Sequence, residues 1–198
     1  MCMISVAMTT YNGEKYIIEQ LESIYKQSLP VDEVIICDDR SKDKTVELVE
    51  NYIQDKSLKT WKIIQNEKNL RYSKNFFKAI SMCNGDFIFL ADQDDIWHKD
   101  KVKIMVGKMK ESSDILALST GYTVIDKNGK EEDSVILTLE NRLLNLNEVG
   151  ANSIIKGCTM CIRKELDRML PHDDLNLELQ LGHDWYYNFL AVLAGKNI

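Results

Sequence analysis

The chain predicts an α/β fold with a mainly parallel central sheet flanked by helices. Three observations carry this. Short β-branched and aromatic runs, at 4–8, 34–37, 61–64 and 87–91, alternate with stretches of helical apolar spacing. Such alternation builds βαβ units with right-handed crossovers. Several runs end in polar clusters, and in open α/β sheets ligands bind at that carboxyl edge.

The elements follow in order. Residues 4–8 form a first strand that ends in Thr9-Thr10-Tyr11-Asn12-Gly13, whose Asn-Gly pair is turn chemistry. Ile17, Ile18, Leu21, Ile24 and Tyr25 then recur at helical spacing, and Pro30 closes that stretch. Residues 34–37 form a second buried strand ending in Asp38-Asp39-Arg40-Ser41, with Ser41 as the expected N-cap of a helix through Thr45, Val49 and Ile53. A third strand at 61–64 is followed by a polar, loop-like stretch at 66–74 and a helix over Phe76, Phe77, Ile80 and Met82. Asn84-Gly85-Asp86 turns the chain into the strand at 87–91.

The second half is less regular. A helix is expected over 99–110, strands at 115–118 and 122–125, and a hairpin turn at Asp126-Lys127-Asn128-Gly129. A short helix is expected at 141–149, a strand at 154–162 around Gly157, a helix at 164–170 ended by Pro171, an acidic loop at 172–176, and an aromatic helix opened by Gly182-His183-Asp184-Trp185. The pattern changes near residue 112, so the chain divides into halves at 1–112 and 113–198 of one domain.

Composition narrows the function. A net charge of −6 disfavours a general nucleic-acid binder, which shows a basic face. No apolar run approaches the roughly 20 residues of a membrane span. The start, Met1 to Met8, lacks the basic opening of a signal peptide. Cys158-x-x-Cys161 has no second pair at zinc spacing, and five cysteines without a disulfide framework point to a reducing cytoplasm.

The stretch from Phe87 to Trp97 organises the rest. A buried strand runs into Asp92, Asp94 and Asp95 within four positions. Three like charges so close favour protonation unless a cation sits among them. A hard divalent ion answers this, since Mg²⁺ takes one or two carboxylates plus substrate phosphates. A solvated acidic turn with Asp caps is the plainer alternative. Thr9 to Asn12, Asp38-Asp39 and Asp92 to Asp95 all fall at strand ends, a set suited to a nucleobase N–H, ribose hydroxyls and a metal that holds phosphates.

Six pieces in order resemble family 2 glycosyltransferases of the GT-A fold. They are Ser5 to Gly13, Asp38-Asp39-Arg40-Ser41, Asn69 to Phe76, Ala91 to Trp97, Gly157 to Met160, and His183-Asp184-Trp185. The resemblance covers essentially the whole chain and implies a Rossmann-like sheet binding a nucleotide-diphosphate sugar. It implies that Thr9, Tyr11 and Asp39 contact the base, with Asn12 in the same substrate-binding loop. It puts Asp92 on the ribose, Asp94 on Mn²⁺ or Mg²⁺, and Asp95 assisting. Asp184 matches the general base that deprotonates the acceptor hydroxyl in a single inverting displacement. Arg71 stands where many relatives carry Gly, and either reaches the diphosphate or replaces a turn residue.

The resemblance also implies a saccharide or lipid-linked saccharide acceptor in surface-polysaccharide synthesis, with rhamnosyl or hexosyl transfer. The location expected is cytoplasmic, at the inner face of the membrane, with peripheral association of the full-length protein. Relatives continue into another strand and a basic Arg-x-His element, whereas this chain stops at Lys196-Asn197-Ile198, so a C-terminally shortened domain is expected. Two alternatives stay open. A sugar-phosphate nucleotidyltransferase would carry a Gly-rich loop after the first strand, which Thr9 to Gly13 is not. A nucleotide-binding module without turnover would bind nucleoside diphosphates and transfer nothing.

Overall fold

The structure is a computed structural model, and it describes residues 2–126, 129–132, 155–169 and 182–194. The expected helix at 141–149 and the loop at 172–176 lie outside the described residues.

Six strands form one sheet in the order β3-β2-β1-β4-β6-β5. Strands β1 (Ile4–Thr10), β2 (Glu33–Asp38), β3 (Trp61–Gln65) and β4 (Phe87–Ala91) are parallel. Helices α1 (Ile17–Tyr25), α2 (Thr45–Asp55) and α3 (Arg71–Met82) connect them, as the alternation predicted. Helix α4 (Lys101–Glu111) then leads to β5 (Ala117–Ser119). A 3₁₀ turn (Gly157–Thr159) enters β6 (Met160–Arg163), which runs antiparallel to both β4 and β5. Helices α5 (Lys164–Arg168) and α6 (His183–Leu193) follow. No helix among the described residues is long and apolar enough to cross a membrane.

The sheet is covered on both faces, so its strands are apolar on both sides, the expected pattern for a parallel sheet. Alternate residues divide between two cores. Ile4, Val6 and Met8 pack with α1, α2 and α4 residues such as Leu21, Val49 and Met105. Ala7, Ile35 and Leu90 pack with α3, α5 and α6 through Phe76, Leu166 and Tyr187. Tyr187 donates its hydroxyl proton to Asp167 Oδ1 at 2.9 Å, and Lys164 Nζ meets Asp167 Oδ2 at 2.9 Å. That buried pair ties α6 to α5 and so fixes the axis on which Asp184 sits.

Several local expectations are corrected. Ser41 does not cap α2, which starts four residues later with Lys44 at its N-cap position and no side-chain cap. Its hydroxyl instead bonds Asp38 and accepts the Asn12 amide at 2.8 Å. The loop-like stretch turns helical at Arg71, whose φ of +66° is the left-handed conformation glycine favours. The strand expected at 122–125 is a single bridge, Ile125 to Glu131, closed by Gly129 N–H donating to Asp126 O at 2.9 Å.

Candidate active site

The carboxyl ends of β1, β2 and β4 surround a cavity of about 370 Å³ lined by Thr9, Tyr11, Asp39, Arg71, Asp92 and Asp94, with Thr10, Asn69, Tyr72, Asn75 and Gln93. Six of the nine residues singled out from sequence therefore share one hollow. The other three do not line it. Asn12 sits at φ +51°, and its Oδ1 accepts the Lys42 amide at 2.9 Å. It is a strut between the loops after β1 and β2. Asp95 lines a neighbouring cavity, and Asp184 stands at the head of α6.

Asp39 is buried and fully engaged on one side. Its Oδ1 accepts from Asn66 Nδ2 at 3.0 Å and Leu70 N at 2.6 Å, and its Oδ2 from Arg71 N at 2.9 Å. A carboxylate offers about four lone-pair sites, so Oδ2 retains capacity toward the cavity. Asn66 also donates to Asn75 Oδ1 at 2.8 Å, and Asn75 donates to Cys37 O at 2.8 Å. These two buried amides form a polar floor that strand and helix periodicity did not single out. Asp38, the other member of the pair, is structural: it accepts from Thr10 Oγ1, Ser41 N and Gln65 Nε2.

Gln93 was also missed. Its Oε1 accepts the Tyr11 amide at 2.8 Å and its Nε2 donates to Tyr11 O at 3.2 Å, holding the peptide groups on either side of Tyr11. The exposed Tyr11 ring is thereby held over the cavity. Gly13 permits this, because a Cβ there would lie 2.3 Å from Gln93 Oε1.

The acidic corner joins this cavity to a second of about 770 Å³, and Asp94 lines both. The second is walled by Asp95, Trp97, Lys101, Tyr122, Lys156 and Cys158, among others. Ligand atoms of Asp92, Asp95 and Cys158 lie within 4.8 Å of one another. Burial first, then Asp95, Asp94 and Asp184, pushes the Asp92 carboxyl up to about 7. Burial likewise raises Asp95, and its Oδ2 is buried without a hydrogen-bond partner. Lys101 is the counter-charge. Its Nζ donates to Cys158 O at 2.6 Å, lies 4.0 Å from the Trp97 ring centroid, and burial lowers its pKa to about 8. One weakened cation beside three carboxylates leaves negative charge unbalanced. The orphaned Asp95 oxygen beside the Asp92 carboxylate fits a hard divalent ion, with the Cys158 sulfur the one soft atom of the three. Cys158, read from sequence as half of an unpaired Cys-x-x-Cys and as part of the Gly157 to Met160 piece, is the member of this group that was given no role there.

Asp184 occupies the first turn of α6 and is not its cap; the N-cap residue is Gly182. Its Oδ1 accepts the Trp185 amide at 2.8 Å and lies where a Gly182 Cβ would approach to 2.2 Å. Its charge reaches Asp92 strongly enough to raise that group. His183 beside it is buried, stacked on Phe76 with ring centroids 3.8 Å apart. Burial lowers its pKa to about 4.

The fold and chain resemble known sugar transferases. Over 163 residues the chain is 30% identical to TuaG of Bacillus subtilis, a teichuronic acid biosynthesis glycosyltransferase by name, covering 82% of this chain and 63% of that one. It is 32% identical over 205 residues to the poly(ribitol-phosphate) β-N-acetylglucosaminyltransferase TarS of Staphylococcus aureus, covering 34% of that protein. The structure of TarS 1–349 with UDP-GlcNAc superposes with a TM-score of 0.74 at 26% identity, over 96% of this chain and 53% of that one. The mannosyltransferase PcManGT of Pyrobaculum calidifontis, in complex with GDP-Man and Mn²⁺, shares the fold with a TM-score of 0.66 at 21% identity, over 86% of this chain and 47% of that one. The chain thus spans about a third to two thirds of these relatives. A family model described as glycosyl transferase family 2 matches residues 5–170, a span that contains every residue lining the two cavities, and the chain belongs to that family.

Proposed function

We propose that the protein transfers a sugar from a nucleotide-diphosphate sugar to an acceptor hydroxyl, with inversion, in the synthesis of a surface polysaccharide. The observation that carries this is the shared wall: Asp94 belongs both to the cavity framed by Thr9, Tyr11 and Asp39 and to the larger one beyond the acidic corner. The first suits the nucleoside, with Asp39 accepting a base N–H, Tyr11 lying against the base and Asp92 toward the ribose. Arg71, on the same wall, faces the diphosphate. The second, with Tyr122 for ring contact and Lys156 for charge, suits a saccharide or lipid-linked saccharide.

Asp94 and Asp95, with Asp92 close by, would hold Mn²⁺ or Mg²⁺. A bound divalent ion supplies Lewis-acid stabilisation of the departing nucleoside diphosphate. Asp184 takes the proton of the acceptor hydroxyl as its oxygen attacks the anomeric carbon. The C–O bond to the diphosphate breaks as the new glycosidic bond forms. A positioned base contributes roughly 10²–10⁴ in rate. The relatives TarS and PcManGT, bound to UDP-GlcNAc and to GDP-Man with Mn²⁺, support this donor class and ion.

The test is UDP and GDP titration with and without Mn²⁺. Asp94→Ala should abolish the metal-dependent part of binding. Asp184→Asn should bind normally and transfer nothing. Normal transfer by Asp184→Asn removes the base assignment, and metal-independent binding by the unaltered protein removes the ion.

A further inference from the structure

Two observations single out His183. Its side chain is buried at 5% exposure, yet neither ring nitrogen has a hydrogen-bond partner. A polar ring in that state is held by shape, since burying it unpaired costs free energy. The shape is specific. One face stacks on Phe76 at 3.8 Å with the planes 20° apart, and the edge of Tyr72 approaches at 6.3 Å. A second contact is Gly157 at the Nε2 edge of the ring, where a Cβ would lie 2.4 Å from Nε2 and 3.1 Å from Cε1. Gly157 has no positive φ, so its backbone suits any residue. The glycine is needed there for the imidazole alone.

These contacts come from three parts of the site. Phe76 and Tyr72 are on α3, and Tyr72 lines the nucleotide cavity. Gly157 begins the turn whose next residue, Cys158, stands with Asp92 and Asp95. The ring itself is the first residue of α6, directly before Asp184.

We propose that His183 is a positioning residue: its imidazole, stacked on the Phe76 ring and abutting the bare Cα of Gly157 with its Nε2 edge, fixes the start of α6 and with it the Asp184 carboxylate beside the Asp92–Asp95 corner. The proposal rests on the reading of Asp184 as the base. His183 itself exchanges no proton and touches no substrate.

The experiment exploits the steric pair. In Gly157→Ala the new methyl displaces the ring; in His183→Ala the ring is gone; in the double variant the methyl enters part of the vacated space. The reporter is the indole N–H cross-peak of Trp185, adjacent to Asp184, in a ¹H–¹⁵N spectrum, assigned with Trp185→Phe. It should move in both single variants and return toward its original position in the double. UDP release from UDP-N-acetylglucosamine with Mn²⁺ should show kcat reduced on the order of 10²-fold in each single variant, the cost of a misplacement of about 1 Å. The KM for the nucleotide sugar and the UDP binding stoichiometry should stay unchanged, which loss of folded protein would not allow. The double variant should regain about tenfold in kcat. A Trp185 peak that is unmoved in Gly157→Ala, or no closer to its original position in the double, overturns the proposal. If Asp184→Asn releases UDP normally while the Trp185 peak still shows the compensation, the base assignment fails and the positioning stands.

Discussion

Replacing Asp92 by asparagine should stabilise the metal-free protein above neutral pH. The Asp92 carboxyl is pushed from an ordinary 3.8 up to about 7, chiefly by burial and then by Asp95, Asp94 and Asp184. Each tenfold in proton affinity corresponds to about 1.36 kcal/mol, so the interval amounts to about 4 kcal/mol against the ionised folded state. The sign follows from linkage. A raised folded pKa means the folded state holds its proton more tightly than the unfolded chain, so stability falls as pH rises from about 4 and the loss is complete above about 7. The carboxylates titrate together, so only part of that interval belongs to Asp92 alone, and the gain from asparagine is about 2 kcal/mol. For a chain of this size each kcal/mol moves Tm by about 2–4 °C. Asp92→Asn in EDTA should therefore melt about 4–8 °C higher than the unaltered protein at about pH 8, and the difference should shrink at about pH 5. Added Mn²⁺ should raise the Tm of the unaltered protein by mass action and that of the variant much less. Scanning calorimetry over that pH range decides. An equal gain at both pH values, or a loss at the higher one, would show that ionisation of this buried carboxyl is not what strains the corner.

Three other changes test the framework. Tyr187→Phe removes the donor to Asp167 Oδ1 and leaves Lys164 on the other oxygen; thermal unfolding should show a loss of about 2 kcal/mol. Arg71→Gly relieves a left-handed φ and should stabilise by about 1 kcal/mol, while loss of a guanidinium from the cavity wall weakens UDP binding; calorimetry and titration read the two opposite effects. Gln93→Ala frees the backbone N–H and C=O of Tyr11, and UDP affinity with Mn²⁺ should drop about tenfold with little change in Tm.

The parallel core was legible because each strand and helix announces itself locally. Residues 4–8 and 87–91 are short apolar runs, and the 3.6-residue spacing in α1 needs no knowledge of its partners. The strand-end clusters were legible for the same reason, since a polar group after a buried strand has one edge to go to. What sequence could not give was who holds whom. Asp38 and Asp39 are adjacent and identical, yet one knots the loops while the other faces the cavity with an oxygen in reserve. Ser41 fits a cap by composition, but the Asn12 amide and Asp38 claim its hydroxyl first. Arg71 occupies a glycine-type conformation because Asp39 captures its N–H, a contact 32 positions away in the chain. Cys158 reached the carboxylates through an antiparallel pairing of β6 with β4 that periodicity does not encode.

That reversed strand has a consequence for where the chain tolerates change. Because β6 points the other way, its entry and not its exit abuts the acidic corner, and β5 leaves the sheet at the same rim, Ser119 opposite Met160. Whatever lies between those two residues departs from and returns to the rim where the two hollows meet. Insertions or exchanges there can reshape that rim without shifting the ladder between β1 and β4. The architecture sets a parallel four-strand frame apart from the segment that joins β5 to β6, and the seam is one inverted strand.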